Sequence, residues 1–502
     1  MNRFAYILLA VLILCGQPAL YAQTYDQVLR RNFWNGSRNI SGIRQDNVSQ
    51  SYAEVTAGYE DGGYKPTWQA EKAWSAGAAT ASVRHLDDIS FKGGFSFSQW
   101  EGYGMCGSMF IDPGYYPVDV LEFTPGRKTL QTYALDGGFS YDVAPQWRVG
   151  VMVDFASANM AKRKDLRHTN WKLDLVVAPG VMYYAGDLAL GLTYIYGKSG
   201  ETIDAEQVGT AESSYYAFFD KGLMYGVYQV WTGSGVHLDV DGVKGFPVKE
   251  FSNGFAVQVQ YRGLFAEVEY AHTRGVVGEK EYIWYRFPGN QVNASLGYRK
   301  TQGAQEHIAR LYFGWKSQNM YESVLEKVTE NGVTNVLTHG ANMMQHREEI
   351  SVRPSYELVH RALEFRLGAE VGIRNGLASQ MYPYIYTQSL VHASGYYGML
   401  FRIGHLDLGV TGTYGRGWVS ESGRTVSDDS GVQTQPFRLQ EWYDRQIEYE
   451  TARRFDAEVM VRYNFQKGIY LRLDACSVKA YKLPSFDDPT RLTMQLAAGL
   501  KF

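Results

Sequence analysis

The last stretch of the chain, Thr490 to Phe502, reads TRLTMQLAAGLKF and alternates between apolar residues and polar or small ones. Its apolar side chains recur at every second position: Leu492, Met494, Leu496, Ala498, Leu500 and Phe502. Polar or small residues occupy the positions between them. A period of two predicts a β-strand with one apolar and one polar face. Such a strand could also be the last strand of a soluble sandwich, so the rest of the chain has to decide.

The same alternation recurs along the chain from Ser49 onward. For example, Phe255, Val257 and Val259 alternate with Gln258 and Gln260. About 18 such segments follow one another, with about 16 as the alternative count, and both numbers are even, as bacterial membrane barrels require. The pattern predicts an all-β fold, a transmembrane antiparallel up-and-down β-barrel.

The connections between these segments alternate in length, which a soluble sandwich has no reason to do. Short turns are predicted near 87–88, 144–145, 186–187, 263–264, 302–305, 360–361, 404–405 and 466–467. Longer loops are predicted over 104–128, 160–170, 198–252, 275–289, 317–345 and 421–444. This regularity predicts short periplasmic turns at one end of a barrel and long extracellular loops at the other.

The N-terminus has the organisation of a secreted protein. Arg3 precedes an apolar run, and Ala22 ends a stretch that is too short for a spanning helix, so residues 1–22 are predicted to be a signal peptide. Residues 23–48 are polar and rich in turn residues, and they form either a plug in the barrel mouth or a disordered leader. Residues 49–502 are predicted to form the barrel.

The composition agrees with an aromatic-girdled β protein. The chain has 38 Tyr, 24 Phe and 11 Trp, with 53 Gly and 14 Pro. Its mean hydropathy of -0.30 fits a barrel in which only alternate strand residues face lipid. The net charge of -3 argues against nucleic acid as a partner. Cys106 and Cys476 are far apart in sequence, and we expect both to be unpaired.

These features together resemble the Gram-negative outer-membrane β-barrels, in which a terminal aromatic such as Phe502 is the assembly signal. The start at Gln23-Thr24 and the Asn39-Ile40-Ser41-Gly42 leader are similar to an uncharacterised outer-membrane barrel family of Bacteroidota. The resemblance implies a location in the cell outer membrane. It also implies outer-membrane lipids and the barrel assembly machinery as partners. It carries over no catalytic, cofactor-binding or metal-binding residues.

No motif in the chain predicts catalysis or a cofactor, so we expect no cofactor and no enzyme. Residues 191–199 are one residue longer than a phosphate-binding loop and lie on a predicted strand. Asp239-Val240-Asp241-Gly242 is either a calcium ligand set or, more simply, a turn. His272, His346 and His392 lie near strand ends and leave an outer-membrane hydrolase as an alternative.

The polar faces of the strands carry both charge signs and predict the lining of a lumen. The candidates are Arg148, Asp154, Lys172, Asp174, Gln258, Gln260, Arg262, Glu267, Glu269, Arg310, Lys316, Arg353, Glu364, Arg366, Glu370, Arg454, Asp456, Glu458, Arg462, Arg472 and Asp474. Such a wall fits a water-filled bore that prefers neither ion sign, or a salt-bridge network that fills it.

The segment 198–252 is the most distinctive insertion because it is rich in aromatic residues. They are Tyr215, Tyr216, Phe218, Phe219, Tyr225, Tyr228 and Trp231. They form either a patch that stacks on sugars or peptides, or an extra hairpin that packs its own aromatic side chains.

The sequence therefore predicts an outer-membrane channel, porin-like, for small solutes. An accessory or surface-binding barrel that acts with an outer-membrane transporter or a surface lipoprotein is the alternative, and an outer-membrane hydrolase is a third.

Overall fold

The computed structural model describes residues 25, 30–45, 48–208, 215–223, 226–231, 245–280, 282–381, 384–425 and 439–502. The predicted signal peptide and the stretch 239–242 lie outside these described residues. Among the described residues, no helix combines the length and apolar character needed to cross a membrane.

The chain is almost entirely β-sheet, as the period-two pattern predicts. Its strands are β1 (Gln50–Asp61), β2 (Lys72–His85), β3 (Ile89–Ser108), β4 (Asp119–Ala144), β5 (Trp147–Lys162), β6 (Arg167–Ala185), β7 (Leu188–Glu206), β8 (Tyr215–Asp220), β9 (Gly226–Trp231), β10 (Phe246–Tyr261), β11 (Leu264–Glu279), β12 (Tyr282–Gln302), β13 (Gln305–Glu330), β14 (Val333–His360), β15 (Leu363–Met381), β16 (Tyr384–Ile403), β17 (Leu406–Thr425), β18 (Arg453–Asn464), β19 (Ile469–Tyr481) and β20 (Thr490–Lys501).

Twenty strands are described, and all but the hairpin β8–β9 form a closed 18-stranded antiparallel barrel. Each strand pairs with the next along the chain, β7 pairs with β10, and β20 closes the barrel on β1 from Tyr52↔Lys501 to Asp61↔Leu492. Closure matters physically because it leaves no sheet edge with unpaired backbone groups. The predicted fold and strand number are confirmed.

One end of the barrel carries only short connections. They lie at 86–88, 145–146, 186–187, 262–263, 303–304, 361–362, 404–405 and 465–468, close to the predicted turns. We call this the short-turn end. The opposite end, which we call the long-loop end, carries the inserted hairpin and the longest connections.

The outer face of the barrel is apolar and solvent-accessible. Exposed side chains include Val55, Leu192, Val268, Leu296 and Val410, each more than half accessible at 52–59%. Tyr and Trp side chains border this band at both ends. The rings of Trp147 and Tyr183 meet at a tilt near the short turns, 4.8 Å between centroids, and those of Tyr59 and Trp74 meet at a tilt at the other end, 4.5 Å apart. An apolar band between two aromatic belts suits hydrocarbon rather than water.

The long-loop end differs from the sequence prediction in three ways. The stretch 275–289, predicted as a loop, is almost entirely paired strand, because β11 extends to Glu279 and β12 begins at Tyr282. The stretch 317–345, predicted as a loop, is paired strand, because β13 and β14 continue to a tight turn at Asn331 and Gly332 with φ of 52° and 79°. Positive φ at both turn positions is the geometry that lets a hairpin continue this far. A helix, α1 (Leu439–Thr451), also begins inside the predicted loop 421–444, where Tyr443 and Ile447 pack together at helical spacing.

Candidate functional site in the barrel interior

The charged face of the strands points into the barrel, opposite the exposed apolar face. All the charged and amide candidates from the sequence lie on this face except Arg262. Arg262 has a positive φ of 53°, lies in a short turn, and forms an ion pair with Asp187 at 3.1 Å with its side chain 70% exposed. The turn removes it from the alternation that places its neighbours inside.

Residues 30–45, which we call the N-terminal segment, lie inside the barrel. The segment forms two short 3-10 helices, Phe33–Gly36 and Ile40–Gln45. Lys92 of β3 donates to the carbonyl of Asn35 at 3.3 Å, and Arg299 of β12 donates to that of Arg31 at 3.2 Å. Only a segment within the bore reaches inward side chains on both of these walls.

Four arginines attach the N-terminal segment to carboxylates of the wall. Arg30 pairs with Glu364 at 3.2 Å, Arg31 with Glu306 at 2.8 Å, Arg38 with Asp154 at 2.8 Å, and Arg44 with Asp142 at 2.7 Å. Asp142, Glu306 and Glu364 each lie within a few residues of a short turn. The segment therefore lies across the short-turn half of the bore.

The middle of the segment is buried as deeply as a protein core. Asn39 is inaccessible to solvent, and its amide donates to the carbonyl of Val181 at 3.0 Å and to Gln258 Oε1 at 3.1 Å. The indole of Trp34 donates to Gln260, and its ring meets Phe265 edge-on at 5.3 Å. Satisfied buried polar groups of this kind fix one docked position.

A row of inward-facing glycines makes room for the segment. A Cβ on Gly180 would lie 2.5 Å from Asn39 Oδ1, and one on Gly191 would lie 2.8 Å from Asn39 Nδ2. A Cβ on Gly297 would lie 2.6 Å from the ring of Phe33. The sequence reasoning missed these glycines, although glycine at the polar positions of a strand signals close approach by another part of the chain.

A loop between β3 and β4, residues 109–118, folds over the other half of the bore; we call it the inner loop. Its Met109 and Phe110 belong to a buried apolar cluster with Phe219 of the inserted hairpin and Phe287 of β12. Arg347 of β14 donates to the carbonyls of Gly114 and Tyr116 at 2.8 and 3.0 Å. The inner loop therefore contacts the inserted hairpin, β12 and β14 at the long-loop end.

Tyr115 of the inner loop lies between two lysines of the wall. The Nζ atoms of Lys172 and Lys316 lie 4.6 and 5.2 Å from its ring centroid, and its hydroxyl donates to Glu250 at 3.2 Å. Burial raises the pKa of Tyr115 well above its usual value. The hydroxyl is therefore protonated at neutral pH and acts as a donor to the carboxylate.

The helix α1 covers the bore beside the inner loop. The ring of Trp442 meets Phe123 of β4 at 4.9 Å, and Tyr443 meets Tyr386 of β16 at 5.4 Å between centroids. Because β4 and β16 lie in different parts of the wall, the helix crosses the long-loop end. Burial raises the pKa of Tyr443.

A cavity of about 540 Å³ lies between α1 and the wall formed by β12 to β18. We call it the central chamber. Its polar lining includes Asn293, Tyr312, Glu370, His392 and Ser394. Asn293 and Tyr312 also line a second cavity of about 400 Å³, whose floor is Asn35 to Arg38 of the N-terminal segment. The two cavities thus adjoin.

Several inward-facing side chains remain accessible to solvent despite these coverings. They are Ser96, Ser98, Asp136, Arg353, His392, Glu458 and Thr493. They lie on β3, β4, β14, β16, β18 and β20, at positions well inside the strands. The bore therefore keeps polar, solvent-accessible space at mid-height.

The remaining candidate residues do not assemble into a catalytic or metal site. His272 and His346 contact Asn290 and Asn319 at 3.0 and 2.7 Å. Residues 191–199 are part of the regular strand β7 rather than a phosphate loop. Among the described residues, no group of three His, Cys, Asp or Glu side chains could hold a metal ion. Cys106 and Cys476 are free.

The described part of the aromatic insertion contains the hairpin β8–β9. Phe218 and Phe219 are buried, and Phe219 stacks on Tyr285 at 5.3 Å, so these two side chains pack the interior rather than form a surface patch. The side chains of the other aromatic residues of this insertion lie outside the described residues.

Comparisons with known proteins give a family and a set of barrels. The model of a family described as a family of unknown function, DUF6850, matches residues 41–502. No curated protein matches. The ferric preacinetobactin receptor BauA of Acinetobacter baumannii is similar over 90% of this chain and 80% of its own, at 7% identity and a TM-score of 0.40.

Two further solved structures are similar at the same level. Acinetobacter baumannii OccAB3 matches 90% of this chain and 99% of its own at 10% identity, with a TM-score of 0.35. The outer membrane protein opdK of Pseudomonas aeruginosa matches 91% and 99% at 9% identity, with a TM-score of 0.33. We base no functional argument on likenesses of this size.

Proposed function

The chain belongs to DUF6850, a family of unknown function, and from this premise we propose that it is an outer-membrane β-barrel that passes small polar solutes. In this proposal the N-terminal segment narrows the short-turn end, and the inner loop and α1 narrow the long-loop end. The solvent-accessible polar interior between them is the observation that carries the proposal.

The membrane location is supported by the two faces of the barrel. Outward side chains such as Leu192 and Leu296 are more than half accessible, and the ion pairs of Arg38 and Arg44 lie inside. This is the reverse of a soluble protein, and it is stable in lipid because closure pairs the backbone of every barrel strand. In keeping with the sequence, residues 1–22 would direct export, the mature chain would begin at Gln23, and the short turns would lie in the periplasm.

A solute path is supported by the accessible interior side chains. Ser96, Ser98, Asp136 and Thr493 face inward with small or short side chains, and all four are exposed. An 18-stranded barrel is wide enough for water when such side chains line it. Charges of both signs along the path favour neither cations nor anions strongly.

Single-channel recording in planar lipid bilayers tests this function. The purified full-length protein should give discrete current steps. A variant that lacks residues 23–45 should give larger steps, because the floor of the bore is removed. Both proteins need to show the shifted electrophoretic mobility of a folded barrel before heating. Two folded proteins without current steps would contradict the channel.

A second function is favoured by one feature of the long-loop end. In the described part of the chain, residues 323–330 and 333–341 pair only with each other and form a ribbon beyond the neighbouring strands. Val324, Val333 and Leu337 of this ribbon are 44–61% exposed. An apolar exposed ribbon suits contact with a partner, such as an outer-membrane transporter or surface lipoprotein. Photo-crosslinking from position 333 in intact cells would detect such a partner.

We propose no enzymatic activity for the barrel. Labelling of the folded protein by a serine-directed probe, lost when His392 is replaced by alanine, would contradict this and favour the hydrolase.

A further inference from the structure

Arg353 and Glu370 occupy facing positions on β14 and β15 but do not form an ion pair. Val352 faces Val371 and Ser355 faces Gly368, so this register places Arg353 opposite Glu370. Opposite charges at facing positions of antiparallel strands normally attract each other. Here each side chain has turned to a different neighbour.

Arg353 turns toward β13. Its guanidinium carbon lies 4.2 Å from the centroid of the Tyr312 ring. The ring itself is fixed, because the Tyr312 hydroxyl donates to Asn293 Oδ1 at 2.8 Å. Stacking holds the guanidinium plane but uses none of its N–H donors. Arg353 is exposed and has no carboxylate partner among the described residues.

Glu370 turns toward β16. Its Oε1 lies 3.8 Å from Nε2 of His392, beyond a hydrogen bond. The ring of His392 lies over Gly372, where a Cβ would come within 1.9 Å of Cε1. That glycine therefore lets the ring lie flat on the wall beside the carboxylate. Both side chains remain accessible, at 41% for Glu370 and 54% for His392.

Glu370 borders the central chamber, which has room for a ligand. Glu370 and His392 line it together with Tyr312, the ring on which Arg353 stacks. Its volume of about 540 Å³ is within the range of small-molecule sites.

The other carboxylates of the chamber already have strong partners. Glu349 pairs with Arg347 at 3.0 Å, and Glu450 pairs with Arg374. Among the cations, Lys316 lies over the ring of Tyr115. Arg353 and Glu370 are therefore adjacent opposite charges that are both accessible and both without an ionic partner of fixed charge.

We propose that Arg353 and Glu370 form a binding site for a zwitterionic solute, a free amino acid or short peptide. The solute carboxylate accepts from the guanidinium of Arg353, and the solute ammonium donates to the carboxylate of Glu370. The inference rests on the proposed function, since it names the class of solute that the bore takes up. In this proposal Arg353 and Glu370 bind the two charged ends of a solute, which they could not do if they were paired with each other.

Saturation-transfer difference NMR on the full-length protein in detergent tests the site without relying on current. Glycylglycine is the zwitterionic probe. N-acetylglycine lacks the ammonium and glycinamide lacks the carboxylate, so each should bind roughly two- to fivefold more weakly, as expected for one lost charge contact in water.

Variants identify the residues. R353Q and E370Q should each weaken glycylglycine binding by roughly two- to fivefold. D88N is the charge-matched control, because Asp88 is an exposed carboxylate of the short turn 86–88, away from the chamber, and it should bind as the wild type does. The double variant R353E/E370R should regain binding, since a zwitterion can reverse its orientation; this recovery also shows that loss in the single variants is not misfolding.

Equal binding of the three probes, or equal binding by R353Q, E370Q and D88N, would overturn the proposal. A protein that conducts but does not bind glycylglycine contradicts this inference alone. A protein that binds glycylglycine but never conducts contradicts the channel alone.

Discussion

The side-chain amide of Asn39 donates to Oε1 of Gln258 at 3.1 Å in the middle of the barrel, and both residues are inaccessible to solvent. Asn39 belongs to the N-terminal segment and Gln258 to β10 of the wall. A segment that merely rested in the bore would keep water between itself and the wall. This contact is instead packed as closely as a protein core.

Replacing Asn39 with alanine should loosen the N-terminal segment without unfolding the barrel. The change removes the hydrogen bonds from Asn39 to the Val181 carbonyl and to Gln258 Oε1, a loss of about 1–3 kcal/mol of docking free energy for the two bonds together. Hydrogen exchange of residues 30–45 should accelerate accordingly. Asn35→Ala is the control, because the side-chain oxygen of Asn35 has no hydrogen-bond partner. Equal exchange in both variants would show that the Asn39 contacts do not hold the segment.

Gly180→Ala should displace the N-terminal segment by a change in the wall residue against which Asn39 packs. The new Cβ would lie 2.5 Å from Asn39 Oδ1, and overpacking of this kind costs about 1–3 kcal/mol. Gly137→Ala is the matched control, since its Cβ would meet only ordinary contacts, at 3.4 Å or beyond. In planar bilayers G180A should show more frequent or larger current steps than G137A. Indistinguishable traces would argue that the segment does not limit conduction.

The sequence predicts the barrel well because alternation and turn spacing are local. The closing strand and the turns at Gly186-Asp187 and Gly404-His405 were each predicted from a few adjacent residues and agree with the described strands. The interior could not be predicted in the same way. The contact between Asn39 and Gly180 joins residues far apart in sequence, and neither local sequence predicts it.

All side chains on the polar face recur with the same period of two, so the alternation does not show which contacts each of them makes. The alternation that placed Arg353 inside could not show that it stacks on Tyr312 while Arg366 contacts Glu364. Arg262 shows the limit of the rule at a strand end, where one positive φ turns the side chain out of the alternation. Helix α1 was not predicted, because a single helix of 13 residues in a chain of strands leaves little periodic signal.

Glu364→Gln should destabilise the short-turn half of the barrel. The Glu364 side chain is 1% exposed and accepts from Arg30 at 3.2 Å, from Arg402 at 2.8 Å and from Arg366. Neutralising it leaves three cations together in a partly buried site, a loss of about 3–5 kcal/mol. Denaturant unfolding in detergent, followed by tryptophan fluorescence, should show a lower midpoint. Glu458→Gln, at an exposed interior carboxylate, should leave the midpoint unchanged; a similar shift in both would contradict this role for Glu364.

The contact between two connections at the long-loop end should depend on pH through Asp488. Its carboxylate accepts from the backbone N–H of Thr490 at 3.0 Å, from the Thr490 hydroxyl at 2.6 Å and from the N–H of Gly63 at 3.2 Å. The hydrogen bonds from Thr490, chiefly that of the hydroxyl, hold the pKa of Asp488 below its usual value. A lowered pKa means that the stabilisation is present above the usual pKa and lost as the pH falls through the folded-state pKa.

The protection of residues 62–71 from hydrogen exchange, measured relative to the intrinsic rate at each pH, should therefore fall in acid. Asp488→Asn should remove this dependence, because its amide oxygen can still accept the two bonds from Thr490 without titrating, although the bond from Gly63 is lost. A wild type whose exchange shows no extra acid sensitivity beside the variant would contradict the assignment.

The side chain and the backbone of Phe502 have different roles, one in membrane assembly and the other in the stability of the barrel. Its side chain is 61% exposed, while its backbone N–H and carbonyl pair with Ser51 at 3.0 and 2.9 Å and complete the closure of β20 on β1. Phe502→Ala keeps both backbone bonds and removes only an outward aromatic side chain. We expect F502A to lower the amount of folded barrel in the outer membrane while the purified barrel unfolds as the wild type does. Deleting Phe502 should lower both the amount of folded barrel in the membrane and the stability of the purified barrel, since the closing hydrogen bonds are lost as well. Normal membrane levels of F502A would show that the terminal ring is not read during assembly.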